Sequence, residues 1–198
     1  MSINSDLLYS ASTGSPHDLI ELHSRGADLN YADPECGNTA LYNAVISNRP
    51  EIVKCLLQLG ADPNHRINYR SPVSGNLQRE ILASFVAKSE EIVKTLANAG
   101  LDVNARCAEG FTALHHACTL GASGNAVVAT LIQCGADATI KTRNGRSCVD
   151  IVKTQIERIE DWRVPGNTGM IDEKIAYLRE RLDTLDSQSN QRDKDARG

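Results

Sequence analysis

Short apolar stretches with helical spacing recur along the chain, and each one ends at a glycine. The stretches cover residues 19–22, 52–57, 92–96 and 127–132, and the glycines that follow them are Gly26, Gly60, Gly100 and Gly135. Glycine adopts the left-handed conformation at a helix C-terminus with little steric cost, so these positions predict helix ends. The intervals of 34, 40 and 35 residues indicate stacked repeats rather than one central core.

A second pattern lies upstream of two of these stretches. Thr39-Ala40-Leu41 follows Gly37 by two residues, and Thr112-Ala113-Leu114 follows Gly110 in the same way. A threonine side chain can cap the first turn of a helix whose next residues are apolar. Each repeat is therefore predicted to contain a turn, a first helix, a second helix and a closing glycine.

These motifs resemble those of the ankyrin-repeat family, whose marker is Thr-Pro-Leu-His-x-Ala. Residues 34–66 match a nearly complete unit, with Gly37, Thr39-Ala40-Leu41 and Gly60-Ala61-Asp62-Pro63-Asn64 in the family's order. The resemblance covers about three quarters of the chain. It implies an all-α solenoid of about four to five helix-turn-helix units with an extended helical C-terminal cap.

The resemblance also implies a division of the chain. The expected parts are an N-terminal capping repeat at 1–33, a repeat at 34–66, a degenerate repeat with a loop insertion at 67–106, a repeat at 107–141, a C-terminal capping repeat with extended helices at 142–186, and a disordered tail at 187–198. In the degenerate repeat, the first helix is predicted at Arg79-Glu80-Ile81-Leu82, without the Thr-Pro-Leu-His marker. About seven extra residues precede it and form a longer loop over 67–75.

The C-terminal part departs from a short cap. Residues 152–162 are predicted to form an amphipathic helix, Pro165-Gly166-Asn167 to interrupt it, and residues 171–185 to form another helix. One face of that last helix carries Ile171, Ile175, Leu178, Leu182 and Leu185. This face either packs on the last repeat as a cap or serves self-association or a partner's groove.

Composition excludes several classes of function. Twenty-one Lys and Arg against 25 Asp and Glu give a formal charge of -4, which disfavours phosphate-neutralising contacts with nucleic acid. The polar start at residues 1–6 and the absence of a long apolar run predict a cytoplasmic location. Six scattered cysteines without a CxxC pair are expected to be reduced and to pack as small apolar side chains.

Catalytic and metal-binding motifs are not found in the sequence. His115, His116 and Cys118 stand close together, but a zinc site needs about four ligands and no second cluster supplies the others. The family resemblance instead assigns His115 to the histidine that supports hydrogen bonding between turn and helix, a position held by Tyr42 in the first full unit. We therefore predict neither an enzyme nor a bound cofactor or metal.

Binding to a protein partner is the function that the resemblance implies, through turn tips and the concave face of the first helices. The candidate protein-binding residues are Asp33, Glu35, Asn38, Ile46, Ser47, Arg66, Tyr69, Arg70, Arg106, Glu109, Phe111, Thr119, Leu120, Arg143, Asn144 and Arg146. The arginines among them predict a partner with an acidic surface. Two alternatives stay open at this point: an enzyme with a site in the long loop or the C-terminal helices, and a nucleic-acid binder that uses the basic turn tips.

Overall fold

The computed structural model describes residues 2–70, 77–121, 124–161 and 168–195. Its elements are α1 (Ile3–Thr13), α2 (Pro16–Ser24), α3 (Ala40–Ile46), α4 (Pro50–Leu59), β1 (Ile67–Arg70), β2 (Leu77–Ile81), a 3-10 helix (Ala83–Val86), α5 (Glu90–Asn98), α6 (Ala113–Ala117), α7 (Gly124–Gln133), α8 (Cys148–Asp161) and α9 (Thr168–Asp195).

The helices form a solenoid in which like elements of successive units pack together. The first helices form one layer, since α1 packs on α3, α3 on the 3-10 helix, and the 3-10 helix on α6. The second helices form another layer in the order α2, α4, α5 and α7. The all-α repeat fold predicted from the sequence is therefore confirmed, with one small two-stranded sheet in the described residues.

Local sequence sets where the repeat helices begin and end. Thr39 accepts a hydrogen bond from the backbone nitrogen of Tyr42 at 3.2 Å, which caps the start of α3. Gly60 ends α4 with a φ of 106°, in the left-handed region that favours glycine. Between these ends, Ile52, Val53 and Leu56 are almost completely buried against the neighbouring units.

A ladder of asparagine side chains links each unit to the next. The backbone nitrogen of Asp62 donates to Oδ1 of Asn30 at 3.0 Å, and that of Asp137 donates to Oδ1 of Asn104 at 2.8 Å. At the first unit, Asn4 of α1 accepts in the same way from Asp28 at 2.9 Å. These bonds pair backbone groups at the turns between units, which fixes the stacking register.

The third unit differs from the sequence prediction. A helix starting at Arg79 and a plain loop over 67–75 were expected, but β1 and β2 form an antiparallel hairpin, followed by the short 3-10 helix. Residues 71–75 of the expected loop lie outside the described residues. Glu80 has a φ of 56° within β2, beside a shift in the strand register. That irregularity is incompatible with continuing an α-helix through this segment.

The C-terminal helices pack onto the last repeat as a cap. Helix α9 packs on both α7 and α8, and Ile171, Ile175, Leu178 and Leu185 are buried. The tail predicted to be disordered from residue 187 is instead helical up to Asp195. Gln188 explains part of this difference, because its amide donates to the carbonyl of Ala136 at 2.6 Å and accepts from the nitrogen of Ala138 at 3.2 Å. The expected break at 165–167 lies outside the described residues.

Candidate functional site

The first turn tip is held by its own aspartate. Oδ1 of Asp33 accepts from the backbone nitrogens of Glu35 at 2.8 Å and Cys36 at 3.0 Å. These hydrogen bonds, the one from Cys36 foremost, lower the pKa of Asp33. Asn38 is half-buried and bonds Cys36 and Asn43 with its side chain. Asp33 and Asn38 therefore shape the turn, while the side chain of Glu35 is exposed.

Two of the predicted binding arginines connect neighbouring turns. Nη1 of Arg66 donates to the carbonyl of Arg106 at 2.8 Å, and Nη2 of Arg106 donates to the carbonyl of Lys141 at 2.8 Å. Both side chains remain exposed, so their charge still contributes to the surface potential. Their guanidinium groups nevertheless have a structural role that spacing along the sequence did not reveal.

Tyr69 anchors the hairpin rather than presenting a free ring. Its ring centroid lies 4.7 Å from that of buried Tyr42, the residue at the family's histidine position. Gly37 lets the hairpin approach, because a Cβ built there would lie 2.0 Å from the carbonyl oxygen of Asn68. The neighbouring candidate, Arg70, ends β1, and its side chain lies outside the described residues.

Phe111 belongs to an aromatic cluster between the third and fourth units. Its ring centroid lies 5.7 Å from each of His115 and His116, and His116 lies 5.1 Å from buried Phe85. Phe111 and His116 are both half-buried, so only part of this cluster faces solvent. The cluster gives the middle of the solenoid a partly exposed aromatic surface of the kind that anchors protein interfaces.

His115 is a structural residue in this unit. Its Nδ1 accepts from the backbone nitrogen of Thr112 at 3.1 Å and lies 2.9 Å from the threonine Oγ1. Burial lowers the pKa of His115 to about 4, so the ring is neutral near pH 7. Within the described residues, no group of three or more His, Cys, Asp or Glu side chains is arranged to hold a metal ion.

The inner-helix candidates end the first helices. Ile46 is 38% exposed at the end of α3, and Ser47 beside it is exposed. Thr119 takes the corresponding place after α6 and is exposed, with its hydroxyl donating to the carbonyl of His116 at 2.7 Å. Leu120 is half-buried. These residues stand at equivalent places at or just after the ends of α3 and α6, where two of them are apolar and two carry hydroxyl groups.

The last turn tip carries two of the exposed basic candidates, Arg143 and Arg146. Arg143, Asn144 and Arg146 are exposed, and the backbone nitrogen of Arg143 donates to the carbonyl of Glu109 at 3.1 Å. This bond places the Glu109 turn directly beside the Arg143 turn. The guanidinium of Arg146 lies 3.2 Å from the Thr154 hydroxyl, which fixes its direction over α8.

Sequence reasoning missed a buried arginine in the C-terminal helix. Arg181 of α9 is fully buried and donates to the carbonyls of Cys118, Leu120 and Gly121 and to the side chain of Asn125. Its position in a helix rich in exposed charges gave no signal, because the spacing of the apolar residues alone does not show which arginine is buried.

A groove between the second helices was also missed. It has a volume of about 400 Å³. Its walls come from α4 and α5 and include Glu51, Lys54, Leu57, Glu91 and Thr95. Spacing along the sequence gave no signal for this groove, because its two walls belong to different units.

Comparisons with known proteins agree with this architecture. A family model of ankyrin repeats in many copies matches residues 8–57, and one of ankyrin repeats in three copies matches residues 64–142. The chain belongs to the ankyrin-repeat family. The resemblance seen in the sequence is thereby confirmed, and membership indicates a protein-protein interaction module.

Individual relatives share the repeats within longer proteins. The chain is 34% identical over 152 residues to human "Ankyrin repeat and SOCS box protein 6", covering 72% of this chain and 34% of that protein. It is 40% identical over 109 residues to "Glycerophosphocholine phosphodiesterase gde1" of Schizosaccharomyces pombe, covering 53% of this chain and 9% of that protein. The chain thus spans about a third or less of the length of these curated relatives.

No helix within the described residues combines the length and the apolar character that crossing a bilayer would require.

Proposed function

We propose that this ankyrin-repeat chain is a non-enzymatic binding module that recruits or inhibits one protein partner. The observation that carries the proposal is that the side chains that hold the units together and the side chains that are exposed are different residues. Asn30, Asn64 and Asn104 are engaged in bonds between units, while Ile46, Thr119 and Arg143 of the same solenoid are exposed. A stack that is stabilised by one set of residues leaves the other set free to recognise a partner.

The contact surface in this proposal has two parts. The first is the strip of Ile46, Ser47 and Thr119, extended by the partly exposed rings of Phe111 and His116. The second is the group of exposed turn-tip residues, namely Glu35, Glu109, Arg143, Asn144 and Arg146. An apolar and aromatic centre with a polar rim is the usual arrangement of a protein interface.

Charge supports an acidic partner opposite the last turns. Lys141, Arg143 and Arg146 are exposed there, and Arg106 adds its charge from the preceding turn. The first turn tip, toward the other end of the solenoid, carries the acidic and exposed Glu35. Such a charge distribution favours one orientation of the partner along the solenoid, with its acidic side over the last units.

The relatives support a role as the recognition part of a larger assembly. The human relative's name joins ankyrin repeats to a SOCS box, and the matched segment is 34% of that protein. The match to the gde1 phosphodiesterase covers 9% of that protein, too little to carry an enzymatic activity over to this chain. An adaptor, an immunity or inhibitor protein, and a regulatory subunit all use a binding surface of this kind.

A pull-down with charge-reversal variants tests the proposal. The bait is the full chain, with Arg143→Glu and Arg146→Glu combined in one variant. The matched control combines Lys54→Glu and Lys153→Glu, which reverses two exposed charges on α4 and α8. We expect one protein to be recovered in stoichiometric amount by the wild type and the control, and at least tenfold less by the first variant.

Three results would contradict the proposal. Equal recovery by both variants would show that the basic turns do not contact the partner. Recovery that nuclease treatment abolishes would favour nucleic-acid binding, and turnover of a substrate by the purified chain would favour an enzyme.

A further inference from the structure

The segment between α6 and α7 carries two of the candidate binding residues, Thr119 and Leu120, and is held from outside by another helix. Its own backbone bonds are short-range turns: the nitrogens of Thr119 and Leu120 donate to the carbonyls of His116 and Ala117 at 2.9 and 3.1 Å. The carbonyls of residues 118, 120 and 121 accept from the side chain of Arg181 in α9, and that of Gly121 also accepts from the backbone nitrogen of Gly124 at 2.9 Å.

Four of the five N–H donors of the Arg181 guanidinium are engaged, three of them with carbonyls of this segment. Nη1 donates to the carbonyls of Cys118 at 2.7 Å and Leu120 at 2.9 Å, and Nη2 donates to that of Gly121 at 2.8 Å. Nε donates to Oδ1 of Asn125 at 2.9 Å. A planar fork with fixed donor directions holds several acceptors in one geometry, which a lysine cannot do.

The surroundings of Arg181 strengthen these bonds. The side chain is fully buried, and its guanidinium carbon lies 5.6 Å from the centroid of the Tyr177 ring. The acceptors are three backbone carbonyls and an amide oxygen, so the buried charge is compensated by dipoles at the end of α6. A charge-assisted hydrogen bond in a buried site is stronger than a neutral one. The conformation of residues 118–121 therefore depends on their bonds to Arg181.

We propose that Arg181 is a positioning residue that orders residues 118–121, so that helix α9 sets the shape of the concave surface at Thr119 and Leu120. The ordering itself follows from the bonds above, and only its relevance to binding rests on the proposed function. The C-terminal helix then has a second role besides capping the last repeat. Its displacement would alter the binding strip without disturbing the earlier units.

Amide hydrogen exchange of the full chain tests the proposal without a partner. We expect Arg181→Met to speed exchange of the Thr119 and Leu120 amides at least tenfold, while amides of α3 and α4 keep their wild-type rates. The matched control is Arg179→Met in the same helix, where an exposed side chain pairs with Glu160 at 3.4 Å. That control should leave both regions unchanged, and Arg181→Lys should restore part of the protection.

A second variant perturbs the contact from the other side. A Cβ built at Gly124 would lie 2.4 Å from Nη2 of Arg181 and 2.9 Å from Cβ of Leu120. Gly124 is the first residue of α7, so the added methyl group would displace the guanidinium and Leu120. We therefore expect Gly124→Ala to speed exchange at Thr119 and Leu120.

The proposal is overturned if the Arg181→Met variant leaves those two amides at wild-type rates. It is also overturned if exchange rises equally in residues 118–121 and in α3 and α4, since that would show global destabilisation. A pull-down that fails to recover a partner would count against the proposed function and leave these exchange rates as they are.

Discussion

The backbone nitrogen of Asp102 donates to Oδ1 of Asn64 at 2.7 Å, across 38 residues of sequence. The same asparagine donates from Nδ2 to the carbonyl of Gly100 at 2.9 Å. One amide side chain therefore satisfies a donor and an acceptor of the next unit, and Asn104 makes the same two bonds with Gly135 and Asp137.

Replacing Asn64 tests the ladder. Asn64→Ala leaves two backbone groups of the third unit without these partners, so we expect the free energy of unfolding to fall by about 1–3 kcal/mol. Urea denaturation monitored by circular dichroism measures the change. Gln58→Ala is the control, because it removes an exposed amide from α4. A loss of stability no larger than that of the control would contradict the prediction.

Alanine variants of Gly37 and Gly60 distinguish the effect of a steric contact from that of backbone strain. Both have positive φ, 76° and 106°, so alanine is strained at either position by about 1 kcal/mol. Only at Gly37 would the added Cβ also meet the carbonyl of Asn68, whereas no atom lies within 4 Å at Gly60. We expect Gly37→Ala to lower the melting temperature clearly more than Gly60→Ala. Equal shifts would show that the hairpin is not packed against the turn.

The lowered pKa of buried His115 makes the free energy of unfolding depend on pH. Its pKa falls from 6.5 to about 4 on folding, so between these values the unfolded chain binds a proton that the folded chain does not. Stability contributed by the neutral ring is present above pH 6.5 and is lost as the pH falls toward 4. The full loss corresponds to about 3 kcal/mol. Burial lowers the pKa of His116 too, which acts in the same direction.

Urea unfolding at several pH values between 7.5 and 4.5 measures this dependence. His115→Leu places at this position a side chain that does not titrate, so we expect a flatter profile over that range, even if stability at pH 7.5 is lower. His17→Gln, which changes an exposed histidine at the start of α2, should keep the wild-type slope. An unchanged slope in His115→Leu would contradict the assignment.

Leucines of α9 test the docking of the C-terminal helix. Leu185 is fully buried, so Leu185→Ala should cost about 2–4 kcal/mol through lost burial and the cavity left behind. Leu182 is only half-buried, and the same change there should cost less. Chemical denaturation of both variants provides the comparison. Two small and equal effects would indicate that α9 is not packed on the repeats.

The sequence by itself determined the repeat architecture. Gly60 requires a left-handed backbone and Thr39 caps a helix whatever surrounds them, so local chemistry indicates where helices start and end. The regular interval between copies then indicates stacking, because a lone helix pair cannot bury its apolar side. Those signals are short-range, which is why they can be read without coordinates.

The tertiary structure alone decided how the candidate residues are used. Arg66 and Arg106 resemble free surface charges in the sequence, yet each reaches a carbonyl 35 or more residues away. Arg181 bonds residues about 60 positions earlier, and the hairpin replaces a predicted helix through its contact with Gly37 and Tyr42. Such partners are distant in the chain, and spacing along a sequence shows only which neighbours share a face of one element.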